Sequence, residues 1–235
     1  MELRVEDLSK SYGNKEVLKN ISFSFENGKI YGLLGRNGVG KTTFFNCLNS
    51  DITVDKGKFY LVDDSKNSEL KTSDIGYVVS TPIVPEFLTA REFLQFFIEI
   101  NEEKITEKKS IDEYFDIVKI DKSDRDKLLR DYSHGMKNKM QILINIIAEP
   151  SVILLDEPLT SLDIVVQDEM KKLFRLLKKD HIIILSTHIL ELAMDLCDEI
   201  IILNNKTLEL IEKKDLDTKE YKDKIINSLK EQKDV

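Results

Sequence analysis

The string Gly35-Arg36-Asn37-Gly38-Val39-Gly40-Lys41-Thr42 constrains this chain more than any other feature. It satisfies every fixed position of G-x-x-x-x-G-K-[ST]. Ile30–Leu34, a short apolar run that reads as a buried strand, precedes it, and a helical stretch follows from Lys41. Glycines let the backbone curl so that successive N–H groups converge on phosphate oxygens, and the helix N-terminus adds partial positive charge. In such a loop Lys41 reaches the β- and γ-phosphates and the Thr42 hydroxyl ligates Mg²⁺. The candidate nucleotide-binding residues are therefore Gly35, Asn37, Gly38, Gly40, Lys41, Thr42 and Thr43.

A second constellation follows far along the chain. The apolar run Ser151–Leu155 ends in Asp156-Glu157-Pro158. A carboxylate at the carboxyl end of a parallel strand points into the crevice where α/β sheets bind ligands. Two adjacent carboxylates closing an apolar strand are costly without a counter-ion. Asp156 is the candidate Mg²⁺ ligand, and Glu157 the candidate general base that polarises an attacking water. Guanine specificity is disfavoured, because Asn14-Lys15 and Asn205-Lys206 lack the aspartate of an N-K-x-D string.

Composition narrows the partners. With 235 residues the chain can build one sizeable core and a smaller satellite. A net charge of −8 argues against nucleic acid as a partner. Cys47 and Cys197 stand far apart outside any CxxC pattern and read as buried, reduced thiols, which fits a cytoplasmic location. The first residues, MELRVEDLSK, lack the apolar core of a signal peptide. The longest apolar stretches, Ile142–Ala148 and Ser151–Leu155, fall short of the ~20 residues that span a bilayer.

Along the chain, Leu3–Asp7, Asn20–Phe25 and Gly57–Val62 read as strands. From about Pro85 to Ala148 the pattern is helical, opening on the capping box Thr89-Ala90-Arg91-Glu92. The charge-rich stretch Asn101–Asp131 reads as a solvated helical face. His181–Leu185 and Ile200–Leu203 suit buried strands of a parallel sheet. The expected division is a domain over 1–215, with a helical subdomain at about 83–147, and a charged tail over 216–235.

Taken together, the order and spacing of these motifs resemble the ATP-binding cassette family, from Leu3 to about Leu210. Tyr12 sits where that family stacks an aromatic on adenine. Tyr132-Ser133-His134-Gly135-Met136-Lys137 looks like a divergent form of the signature motif, in which Ser133 and Gly135 match. The resemblance implies that these two contact the γ-phosphate of ATP held by the opposite subunit. Ser161-Leu162-Asp163 resembles the D-loop, and His188, after Ser186-Thr187, resembles the switch histidine that supports the γ-phosphate. One departure stands out: Ile75-Gly76-Tyr77-Val78-Val79-Ser80 matches the Q-loop pattern except that Ser80 replaces the glutamine near the metal.

The resemblance implies an α/β fold: a P-loop NTPase core with an antiparallel β subdomain and a helical subdomain. It implies ATP and Mg²⁺ as cofactors, with Thr42, Asp156 and Ser80 around the metal and Glu157, His188 and Lys41 in catalysis. It further implies an integral membrane permease and a second nucleotide-binding subunit as partners, at the cytoplasmic face of the membrane. The Tyr-Ser-x-Gly-Met-Lys form resembles a branch of bacterial exporters. Two alternatives stay open here: a soluble single-cassette ATPase of the iron–sulfur assembly type, and a low-turnover nucleotide-binding regulatory protein.

Overall fold

A strand whose apolar residues run without a break needs cover on both faces. Such runs form the centre of this protein, described over residues 1–64, 66–103, 105, 108–160 and 162–211 by a computed structural model. The tail expected over 216–235, and Ser161, lie outside the described residues. β3 (Ile30–Leu34), β6 (Ile75–Val78), β7 (Val152–Asp156), β8 (Ile182–Thr187), β9 (Glu199–Asn204) and β10 (Thr207–Ile211) form a six-stranded sheet, in the order β10-β9-β3-β8-β7-β6. All neighbours are parallel except the β9–β10 hairpin.

Period-2 alternation splits the apolar runs between two cores. Ile153, Leu155, Ile183 and Leu185 enter one core, together with the helices. Val152, Leu154, Ile182 and Ile184 enter the other. A four-stranded antiparallel sheet closes that second core, with β1 (Glu2–Tyr12), β2 (Lys15–Glu26), β4 (Lys56–Asp63) and β5 (Lys66–Glu69) in the order β2-β1-β4-β5. Phe44, Phe45, Cys47 and Leu48 of α1 (Lys41–Leu48) pack into the same core, so α1 bridges the two sheets. At Gly57, φ is 90° and an added Cβ would lie 2.5 Å from the Glu6 carbonyl oxygen, so β4 meets β1 closely only through a glycine.

The helical pattern from Pro85 to Ala148 resolves into three helices: α2 (Ala90–Ile100), α3 (Ile111–Ile117) and α4 (His134–Ala148). Capping explains the division. Thr89 with Glu92 and Ser110 with Glu113 are reciprocal capping boxes, and the Ser133 hydroxyl caps α4. Each fixes a new start. The stretch Asn101–Asp131 is also not wholly a solvated face. Arg125 is buried there, bonded to Asp112 and Asp116, with its guanidinium 5.3 Å from the Phe115 ring centroid. Arg91 approaches the same ring at 5.8 Å and shares Asp112. The two guanidiniums, Arg125 first, hold the Asp112 carboxyl below the usual range.

Four elements escaped sequence reading, the short exposed strand β5 among them. β6 has only four residues, and α5 (Ile164–Leu177) and α6 (Leu190–Leu196) follow polar loops. The signals were present: the Asp163 side chain accepts from the Val165 and Val166 amides, and Met170, Leu173 and Phe174 form one buried stripe of α5.

Both cysteines are buried and neither is in a disulfide. Burial pushes the Cys47 thiol up to about 11, so almost no thiolate exists at neutral pH. Ellman's reagent is expected to find no reactive thiol in the native chain and two after denaturation. Rapid native labelling of Cys47 would show that the α1 core opens readily.

Candidate functional site

Four neighbouring parallel strands deliver their carboxyl ends to one edge of the sheet. β3 leads into the glycine loop, β6 into Ser80, β7 into Asp156 and Glu157, and β8 into Thr187 and His188. This is the edge at which parallel α/β sheets hold ligands. A cavity of about 460 Å³ opens there, lined by Arg36, Asn37, Gly38, Gly40, Lys41, Thr42, Thr43, Ser80, Asp156 and Glu157. The β1–β2 hairpin supplies the remaining wall: Tyr12, Lys15 and Val17. Tyr12 pairs with Lys15 across that hairpin and is 49% exposed, which leaves ring surface available for stacking. The Lys10 ammonium lies 5.5 Å from the Tyr12 ring centroid.

The loop demands its glycines. Gly38 has φ 81° and Gly40 φ 119°, and a Cβ at Gly40 would meet Val17 at 2.8 Å. Gly35 donates its amide to the Thr187 carbonyl at 3.2 Å, which joins the loop to the end of β8. Lys41 is buried; its Nζ donates to the carbonyls of Gly35 at 2.7 Å and Arg36 at 3.2 Å. Glu157 Oε1 lies 3.3 Å from the same nitrogen. Burial lowers the Lys41 pKa, and Glu157 opposes that shift.

Asp156 and Glu157 have different partners, and Glu157 adopts a left-handed φ of 49°. Strained backbone of this kind concentrates at functional sites. Thr42 Oγ1 donates to Asp156 Oδ2 at 2.8 Å, and Ser186 Oγ donates to Oδ1 at 2.5 Å. Ser186 Oγ also accepts from the Glu157 amide at 3.0 Å. The Glu157 carboxylate then gathers Lys41, the Thr160 hydroxyl at 3.1 Å, and His188 Nδ1 at 3.0 Å. A carboxylate, an ammonium, a hydroxyl and an imidazole therefore converge on one corner of the site.

The donor set suits a hard cation. Thr42 and Asp156 already touch, Ser80 lies in the same wall, and Mg²⁺ commonly binds through one or two protein oxygens plus substrate phosphates.

Ser133 and Gly135 lie outside the cavity wall. Ser133 Oγ accepts from the Met136 amide at 3.2 Å as the N-cap of α4. A Cβ added to Gly135 would meet Leu162 at 3.5 Å, Val166 at 3.7 Å and Ser133 Oγ at 3.9 Å, all ordinary contacts. Neither packing nor backbone conformation in this chain requires a glycine at 135. Lys15, Val17, Arg36 and Ser186 were not singled out as site residues. Lys15 and Val17 were legible only through period 2 along β2 opposite Tyr12, Arg36 through its place inside the loop motif, and Ser186 through its adjacency to His188.

A P-loop at the carboxyl edge of a parallel sheet, with a second acidic strand end and an intervening strand β8, defines the P-loop nucleoside triphosphatase class. Residues 18–160 match the family model described as ABC transporter. The ABC transporter ATP-binding protein YxlF of Bacillus subtilis strain 168, itself uncharacterized, is 33% identical over 206 residues, covering 86% of this chain and 68% of that protein. The bacitracin transport ATP-binding protein BcrA of Bacillus licheniformis is 34% identical over 214 residues, covering 89% and 69%. A solved ATP-binding subunit of an ABC transporter superposes with a TM-score of 0.74 at 25% identity, covering 90% of each chain. The chain belongs to the ABC transporter family and is an ATP-binding ATPase subunit of a transporter. Among the described residues, no helix is long and apolar enough to cross a membrane.

Proposed function

We propose that this chain powers export through a separate integral membrane permease, working as one of two cassettes paired head to tail at the cytoplasmic face of the membrane. The observation that carries the pairing is the separation of Ser133 and Gly135 from a cavity that holds every other phosphate-directed group except Gly35 and His188, which adjoin it. A serine cap and a glycine that its own chain does not need suit a surface that receives the triphosphate of a second copy or a similar chain. Export is supported by the likeness to the bacitracin transport ATP-binding protein. Docking on a permease is supported by Ile83 and Phe87, 76% and 80% exposed, close in sequence to Ser80.

In the proposed reaction ATP enters with adenine against Tyr12 and its phosphates in the loop of Gly35–Thr43. Lys41 exchanges the carbonyls of Gly35 and Arg36 for phosphate oxygens and offsets the charge that develops during transfer. Thr42 and Asp156, with Ser80 alongside, would hold Mg²⁺, which would supply positive charge against the phosphates. Glu157 orients the water and takes its proton, while His188 turns its imidazole from Glu157 towards the γ-phosphate. Closure of two cassettes and their release after hydrolysis give the permease a two-state drive.

Detergent pull-down of the tagged chain from its native membranes tests the transport reading. Recovery of a multi-span membrane protein supports it. Recovery of the chain from the soluble fraction alone, bound to no membrane protein, sinks it and favours the cluster-assembly or regulatory readings. Gly135→Ala tests the pairing. The isolated chain is expected to keep its Tm or gain up to about 1 kcal/mol, since alanine favours a helix over glycine. ATP-dependent dimerisation, read by light scattering on a Glu157→Gln background, is expected to fall about tenfold or more, because a Cβ would hold the two surfaces apart. Unchanged dimerisation would place the γ-phosphate contact elsewhere.

A further inference from the structure

The inner face of α4 carries amides where a packed helix normally carries apolar side chains. Asn138, Gln141 and Asn145 are 2%, 5% and 9% exposed. Their spacing of three and four residues sets them on one stripe. Asn145 is a local brace: its Nδ2 donates to the Gln141 carbonyl at 2.7 Å, and its Oδ1 would lie 2.2 Å from a Cβ on Gly76 of β6. The other two reach out of the helix. Asn138 Nδ2 donates to the Pro158 carbonyl at 3.5 Å, and Gln141 Nε2 donates to the Ile83 carbonyl at 3.4 Å.

Those two carbonyls belong to the loops that frame the far end of the cavity. Pro158 follows Glu157, and Ile83 lies three residues beyond Ser80. Both bonds are long, and Asn138 Oδ1 and Gln141 Oε1 have no hydrogen-bond partner among the described residues. Buried amide oxygens left unmatched cost stability that an apolar side chain of similar size would not forfeit. The position of Ser80 gives the amides a use. A long glutamine at 80 can search for its target, whereas a serine acts only from where its backbone is held. The bond from Gln141 ties that backbone to α4, the helix that Ser133 caps.

We infer that Asn138 and Gln141 are positioning residues, a pair of straps by which α4 sets Glu157 and Ser80 relative to the γ-phosphate. They join the surface at Ser133 to both loops, so docking of α4 on a second copy is felt at Glu157 and Ser80 together. The inference rests on the assignment of Glu157 and Ser80 to the γ-phosphate.

Gln141→Met and Asn138→Leu keep roughly the side-chain length and remove the donors; Gln141→Asn keeps the amide but makes it one methylene too short. Steady-state ATP hydrolysis by the purified full chain, nucleotide affinity and Tm are measured for each. The expected result is a kcat lower by about tenfold, with KM and nucleotide Kd within about twofold of the parent. Tm is expected to hold or rise in the Met and Leu variants, because an unmatched oxygen leaves the core. A kcat within about twofold of the parent in both Gln141 variants overturns the inference. So does a fall in kcat matched by a rise in KM and a lower Tm, which is the mark of lost packing alone. Should Gln141→Met not fold, Gln141→Asn decides. A parallel Glu157→Gln protein separates the two levels: if it hydrolyses ATP like the parent, the Glu157 assignment fails. If it is inactive while the strap variants are unaffected, the strap alone fails.

Discussion

Glu157→Gln is expected to lower ATP turnover by about 10²–10⁴-fold while leaving ATP bound. Glutamine has almost the same shape and can still meet the Thr160 hydroxyl, which now lies 3.1 Å from the carboxylate. What it lacks is the charge and the basicity. The carboxylate stands 3.3 Å from Lys41 Nζ and 3.0 Å from His188 Nδ1, so it draws both donors towards itself. An amide holds them less strongly, and the repulsion between a carboxylate and an incoming γ-phosphate disappears. ATP affinity should therefore stay level or rise as kcat collapses. Phosphate release at saturating ATP and Mg²⁺, with nucleotide affinity measured alongside, checks both halves. Turnover close to that of the parent would remove Glu157 from the chemistry and move attention to His188.

Lys41→Ala carries the second large effect. A charge-assisted hydrogen bond contributes about 1.5–3 kcal/mol, which is roughly 10–150-fold in Kd. Hydrolysis should be lost beyond that, because charge on the transferring phosphoryl group then lacks its fixed cation. The fold should persist, since Glu157 retains Thr160 and His188. Tight ATP binding by Lys41→Ala would overturn the assignment of the loop. A pH dependence accompanies it. Burial lowers the Lys41 pKa from its ordinary value of 10.5 in the free chain. Phosphate favours the ammonium, so ATP affinity is expected to weaken as pH rises through that lowered value, and the alanine protein should lack this alkaline limb.

Sequence reading went furthest where a residue's task is local. The loop of Gly35–Thr42 declares itself because its φ angles admit little but glycine and its cation must sit at the helix start. Asp156 and Glu157 were legible because they close a continuous apolar run, the pattern of a buried parallel strand, while His188 was legible through the family resemblance after a similar run. Tasks shared between distant segments were not legible. Nothing in the string around Arg125 says that it turns inwards over Phe115, since that depends on how α3 meets the segment after it. Asn138 and Gln141 look like polar helix residues until α4 lies against the loops of Pro158 and Ile83. The helical stretch was legible as a pattern, but its division needed the caps at Thr89, Ser110 and Ser133, of which only Thr89 was read.

The strand order has a consequence for biosynthesis. β3, which launches the phosphate loop, takes its sheet partners from β8 and β9: Ile30 pairs with Ile183, and Tyr31 with both Ile184 and Glu199. A ribosome adding about 5–20 residues per second needs on the order of ten seconds to travel from β3 to β8. Through that interval the loop exists as sequence without its sheet, and β3 waits with both edges unpaired. A nascent chain stopped before β8 would present an apolar strand seeking a neighbour, the kind of species that chaperones hold.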